Sequence, residues 1–203
     1  IELLLQVGHD QFHQFLADAT VANLADADHY GLAMVLGGIE LSMEELLQLY
    51  AMLANGGVLQ PLQQTMSQTG AAGQRLLSPE AAWLVLDMLQ KNPRPGALDL
   101  DAEDAVIAWK TGTSYAYRDA WTVGVFGRYA LAVWVGNFDG SGNPAFVGRQ
   151  AAAPLFLQIA DALIAQDPDA GAARLPGPEL NLQKVEVCAD TGDLPGRYCP
   201  RTE

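Results

Sequence analysis

No apolar run in the 203-residue sequence reaches the roughly 18 residues that a membrane-spanning helix needs. Basic residues are scarce as well: 11 Lys and Arg stand against 24 Asp and Glu, for a formal net charge of -13. A surface that acidic repels phosphate backbones and anionic lipid, which argues against nucleic acid as a partner and against polybasic membrane docking. Charged residues make up only 17% while apolar ones reach 50%. A chain of this size can bury about 70% of its unfolded surface, so disorder is excluded for most of it. Cysteine is limited to Cys188 and Cys199, and histidine to three residues. A zinc site takes about four ligands, and neither His nor further Cys lies near the pair. The two cysteines fit either a disulfide closing a short hairpin in an oxidising compartment or two unpaired buried thiols. There is no internal repeat. The sequence opens at Ile1 with no initiator Met and no signal pattern. The expectation is a chain that starts mid-protein, with any signal or anchor upstream.

The length fits one domain, or one domain plus an appendage. Residues 1–60 carry helical spacing: Leu3, Leu4, Leu5 and Val7 precede Gly8, then Phe12, Phe15 and Leu16 recur. Ser42 and Glu45 form a capping box, and the helix they open stops at Asn55-Gly56-Gly57. Residues 63–75 lack periodicity and read as a loop. Ser78-Pro79-Glu80 starts another helix. Beyond Pro93-Arg94-Pro95-Gly96 the period changes: 105–110, 120–126 and 129–137 read as antiparallel strands, the last two a hairpin turning at Gly127-Arg128. Residues 151–165 return to helix, with Pro154 in the first turn. This order predicts an α/β (α+β) fold, an antiparallel sheet flanked by helices. Residues 1–165 form the main unit, 166–180 a linker, and 181–203 a small β appendage with a strand over 184–187.

Three strings carry possible chemistry. His9 and His13 stand at i, i+4 around Asp10, close to the zinc-binding H-E-x-x-H pattern. Asp is one methylene shorter than Glu, and no third ligand follows in phase, so the expectation is no metal. Ser141-Gly142-Asn143 matches S-x-N but lies in a Gly-rich turn after the strands, so it reads as structural. Lys110-Thr111-Gly112-Thr113 ends a run of Val106, Ile107, Ala108 and Trp109, and K-T-G on a strand is a motif of serine penicillin-recognising enzymes.

Around that motif, Lys110-Thr111-Gly112-Thr113-Ser114, Asp119-Ala120-Trp121, Val123-Gly124 and Val133-Trp134-Val135-Gly136 resemble the C-terminal half of the transpeptidase domain of class A penicillin-binding proteins. Glu44 to Tyr50 leading into Ala54-Asn55-Gly56-Gly57-Val58, and Ala152-Ala153-Pro154-Leu155-Phe156, are similar to that family too. Arg118-Asp119-Ala120-Trp121 and the tail around Cys188, Leu194-Pro195-Gly196 and Cys199-Pro200 are most similar to its 1C branch. The resemblance covers roughly residues 35–203.

It implies a β-lactamase/transpeptidase-like fold, incomplete at the N-terminus, and serine acyl transfer that cross-links peptidoglycan stem peptides. Lys110 and Thr113 take catalytic roles in this reading. Lys110 supplies a fixed positive charge toward nucleophile and substrate carboxylate, and the Thr113 amide is half of an oxyanion hole. Substrate binding falls to Lys110, Thr111, Gly112 and Thr113: the Thr111 hydroxyl donates to the carboxylate, and Gly112 leaves room for a peptide beside the strand. No serine here is followed three residues later by lysine, so the S-x-x-K nucleophile is missing and the chain alone should be inert. No cofactor or metal is implied. The implied partners are stem peptides, β-lactams and other cell-wall synthesis proteins, at the periplasmic face of the bacterial inner membrane. A glycosyltransferase domain and a membrane anchor would lie upstream. The rival readings are a zinc hydrolase on His9 and His13, a β-lactamase, and a non-catalytic interaction domain of the same fold.

Overall fold

A computed structural model describes residues 1–19, 21–65, 70, 72–95, 106–171 and 180–202. Helices α1 (Glu2–Val7) and α2 (His9–Asp18) divide at Gly8, and α3 (Ala27–Tyr30) runs into a 3-10 turn over Gly31–Leu36. Leu16, Val21, Tyr30 and Met34 gather into a small core beneath them. Helix α4 (Met43–Ala54) begins at the expected capping box: the Glu45 amide donates to Ser42 Oγ (3.2 Å), and the Ser42 amide to Glu45 Oε2 (2.7 Å). It ends in a Schellman motif, with Gly57 N–H on Met52 O (2.9 Å), Gly56 N–H on Leu53 O (3.1 Å), and Gly56 at φ +62. Helix α5 (Pro79–Gln90) starts at Ser78, whose Oγ accepts from the Ala81 amide at 3.1 Å.

The region 63–75 is not loop throughout. Strand β1 (Val58–Leu59) pairs antiparallel with β2 (Gln74–Arg75). A two-residue polar strand leaves no periodicity to detect. Arg75 also ties the junction, donating to Gly56 O (2.8 Å) and Leu77 O (3.1 Å).

The main sheet has the order β3-β4-β5, from Ala108–Thr113, Asp119–Phe126 and Tyr129–Gly136. The β4–β5 hairpin turns at Gly127-Arg128 as expected, with Phe126 opposite Tyr129. Strand β3 lies further along the chain than the expected 105–110. Residue 105 lies outside the described residues, and Val106 and Ile107 precede the strand. The register limits it at this end: with Ala108 opposite Val125, Ile107 stands at Phe126, the last residue of β4, and Val106 stands at the hairpin turn. At the other end, pairing continues to Thr113 opposite Ala120.

Helices cover both faces. Ala108 and Val125 pack with Leu86 and with Tyr50, Leu53 and Leu89 of α4 and α5. Trp109, Ala120, Phe126 and Val133 pack against Ala152, Ala153, Phe156 and Ala160 of α6 (Gly148–Gln166). Trp109 and Phe156 stack at 6.3 Å between ring centroids. Alanines on α6 let the helix lie close to the sheet. Helix α6 starts three residues before the expected 151, which places Pro154 inside it rather than in its first turn. The early start has a tertiary cause, since the first amide, Gly148 N–H, donates to Thr113 Oγ1 at 2.9 Å.

The stretch expected as a linker begins as ordered chain: α6 runs to Gln166, a 3-10 turn spans Pro168–Gly171, and Ala170 is buried in the α6-side core. Asp167 accepts from Arg128 and, at 3.4 Å, from Tyr129 Oη, which pins this turn to the hairpin. Residues 172–179 of that stretch lie outside the described residues. Cys188 and Cys199 are joined as a disulfide. Residues 184–187 carry no strand, and an isolated antiparallel bridge joins Cys188 to Thr202.

Candidate active site

All four residues of Lys110-Thr111-Gly112-Thr113 lie in β3 and form its last four positions. Among the described residues no strand pairs with the outer edge of β3. The hydrogen-bond phase is set at the loop that follows. Ser114 N–H donates to Asp119 O (3.0 Å), and Asp119 N–H to Ser114 Oγ (2.8 Å). In an antiparallel pair such bonded positions alternate. Ala108, Lys110 and Gly112 therefore turn their backbone groups to β4, and Trp109, Thr111 and Thr113 turn theirs to the open edge.

Two side chains agree with that phase. Asn92, just past α5, donates to Trp109 O at 3.2 Å, and Lys110 Nζ donates to Thr111 O at 2.8 Å. The segment after α5 works as a strap round the edge. Arg149 of α6 reaches Pro93 O (3.0 Å), and Arg94 pairs with Asp161 of α6 at 3.0 and 3.1 Å. Among the described residues the strap covers the edge at Trp109, and no hydrogen bond to the edge amides of Thr111 and Thr113 is formed.

Side-chain alternation divides the motif between two faces. Lys110 and Gly112 share the face of Ala108, with Trp121 and Val123 beside them across the strand pair. Thr111 and Thr113 share the face of Trp109, toward α6, and the bond from Gly148 to Thr113 Oγ1 agrees. A Cβ on Gly112 would meet Trp121 Cβ at 3.5 Å and nothing closer, and its φ is not positive. The fold itself thus has no need of glycine there.

The loops at this end are laced together. Trp134 Nε1 donates to Asp119 Oδ1 (2.9 Å), Asn143 N–H to Tyr117 O (2.9 Å), and Ser141 N–H to Asp139 Oδ1 (2.9 Å). Ser141-Gly142-Asn143 is part of this bracing. Trp121 and Trp134 stand 6.4 Å apart, and Trp134 and the exposed Phe138 5.4 Å apart, on the Lys110 side of the sheet. At the other end of the chain, His13 Nε2 lies 2.7 Å from Ala25 O, and His9 Nδ1 lies 3.5 Å from Asp10. No cluster of three or more His, Cys, Asp or Glu able to hold a metal stands among the described residues.

A family model described as the penicillin-binding protein transpeptidase domain matches residues 17–161. The chain belongs to the penicillin-binding protein transpeptidase family. It is 32% identical over 140 residues to penicillin-binding protein 1C of Escherichia coli K12, covering 66% of this chain and 17% of that protein. It is 31% identical over 120 residues to penicillin-binding protein 1B of Vibrio cholerae, covering 53% of this chain and 15% of that one. The crystal structure of penicillin-binding protein 1A from Haemophilus influenzae matches its fold with a TM-score of 0.74 at 19% identity, over 98% of this chain and 37% of that one. The transpeptidase match starts upstream of residue 35, where the sequence resemblance was placed, and takes in part of α2.

Sequence reasoning missed Asn92, Gly148 and the Asp119–Trp134 pair at this site. An Asn beyond a helix end and a Gly at a helix start are common turn signals. Their contacts with β3 depend on register, which composition does not carry.

Proposed function

We propose that this chain is the K-T-G-bearing portion of a peptidoglycan DD-transpeptidase that cross-links stem peptides by serine acyl transfer. In the complete protein a serine Oγ attacks the carbonyl of a D-Ala-D-Ala bond, the C–N bond breaks, and D-Ala leaves carrying the proton. An amine from a neighbouring stem peptide then attacks the ester and restores the serine. β-Lactams acylate the same oxygen. Nucleophile and lysine base come from outside this chain, as do a glycosyltransferase domain and the anchor that holds the protein at the periplasmic face of the bacterial inner membrane.

One observation carries the reading: among the described residues the motif occupies a part of an edge strand that no other strand pairs with, at a glycine whose Cβ would meet nothing closer than 3.5 Å. A substrate peptide adds to that edge as a further strand, and Gly112 leaves the space for it. Thr111 and Thr113 offer edge amides to its backbone, and the Thr111 hydroxyl donates to its carboxylate. The Thr113 hydroxyl accepts from Gly148 N–H of α6, and the Thr113 amide acts as an oxyanion donor of a kind that contributes about 10²–10³ in rate. Lys110 leaves Thr111 O when the carboxylate arrives and places its charge beside it. Among the described residues no helix is long and apolar enough to cross a membrane.

The test is covalent labelling by a fluorescent penicillin. The complete protein labels, its Lys110→Ala variant loses labelling by about 100-fold or more with unchanged melting temperature, and the 203-residue chain alone does not label. Labelling of the isolated chain, or normal labelling of the variant, overturns the reading.

A further inference from the structure

Thr122 is buried to 0% exposure in the middle of β4, and its Oγ1 has no hydrogen-bond partner in the structure. Buried hydroxyls are nearly always bonded, so an orphan calls for a reason. The register sets Thr122 directly opposite Thr111 of the K-T-G motif. The phase fixed by Ser114 and Asp119 makes this a pair whose backbone groups turn away from each other, so the two Cα atoms lie about 4.5 Å apart and the side chains are at their closest. Both point to the face covered by α6. The first turn of α6 is tight on the neighbouring pair, where a Cβ on Gly148 would fall 2.3 Å from Gly112 O and 2.8 Å from Trp121 O. Opposed threonines at this spacing are able to bond through their hydroxyls, although Thr122 Oγ1 does not do so here.

We propose that Thr122 is a positioning residue for Thr111, a step that rests on reading Thr111 as the carboxylate donor. A hydroxyl has one proton to donate and two lone pairs. When the Thr122 O–H donates to Thr111 Oγ1, the Thr111 proton is turned away from the interior and toward the open edge, where the ligand carboxylate arrives. In the free protein the Thr122 hydroxyl is unpartnered. It gains its acceptor as Thr111 rotates to meet the ligand, so the bond favours the bound state alone.

The experiment is a double-mutant cycle on the complete protein, reading the rate of acylation by a fluorescent penicillin together with melting temperature. Thr122→Val, which keeps the shape and removes an unbonded hydroxyl, leaves the free protein as stable or more so. It slows acylation about threefold to tenfold, through weaker binding and not a lower limiting rate. Thr122→Ser restores the rate to within about twofold, and in a Thr111→Val background Thr122→Val has no further effect. If Thr122→Val does not fold, Thr122→Cys takes its place in the cycle. Full activity of the Thr122 variant, or an equal loss in the Thr111→Val background, overturns the positioning role while the transpeptidase reading stands. Unchanged acylation by Thr111→Val alone removes the carboxylate role of Thr111, and this proposal with it.

Discussion

Two glycines beside the site are small for different reasons, and substitution separates them. Gly112 has space for a Cβ, so Gly112→Ala is expected to change stability by no more than about 0.5 kcal/mol. On the proposed function the same change is expected to cost the complete protein its penicillin labelling, because the added methyl takes space that Gly112 leaves for the substrate peptide. Gly148 is pressed against the carbonyls of Gly112 and Trp121. Gly148→Ala forces α6 off the sheet and costs about 1–3 kcal/mol. Urea unfolding of the two variants distinguishes them. A large loss of stability in Gly112→Ala would mean that the chain's own packing demands the glycine.

Among the helices, α4 has the most explicit punctuation, and its start is sensitive to pH. Partial burial raises the Glu45 carboxyl, but hydrogen bonds from the Ala22 amide, the Ser42 amide and the Ser42 hydroxyl outweigh it and hold the group below the usual range. The folded value lies below the unfolded one. Its contribution is therefore complete above the unfolded value of about 4.3 and disappears as pH falls through the lower folded value. Glu45→Gln is expected to cost about 1 kcal/mol near neutral pH, with the difference from the parent sequence closing as pH falls through the acid range. Stability measured by denaturant at a series of pH values checks this. A difference that persists unchanged in acid would show that charge on Glu45 does not support the cap.

At the scale of the whole molecule, a sheet between two helical layers holds the main body, and the disulfide-closed tail adds little to it. Asn181 N–H reaches Glu80 Oε1 at 3.2 Å, and the tail is otherwise organised by turns around Cys188 and by the bond to Cys199. The closed loop is short, worth about 3 kcal/mol on a chain-entropy estimate, and that gain belongs to the tail. Replacing both cysteines with Ser should speed tryptic cleavage at Arg197 and Arg201 while the main melting transition moves by less than about 2 °C. Thiol titration of the denatured, unreduced protein should find no free thiol. Two free thiols, or a clear fall in the main transition, would contradict this.

Local chemistry made several features legible from sequence alone. The Ser42–Glu45 box, the Gly56 stop, Pro79 after Ser78 and the Gly127-Arg128 hairpin are each decided by residues a few positions apart. K-T-G was legible as a motif for the same reason. Tertiary structure decided what those signals could not reach. Register against β4 moved β3 along the chain and took the whole motif into the strand. Asn92 and Arg94 close one part of its edge and leave another open. The Thr113 hydroxyl started α6 early. Each of these depends on which remote residue stands opposite. Pairing of that kind follows from packing the sheet between its helices, because sequence periodicity assigns a residue to a face but names no partner across it.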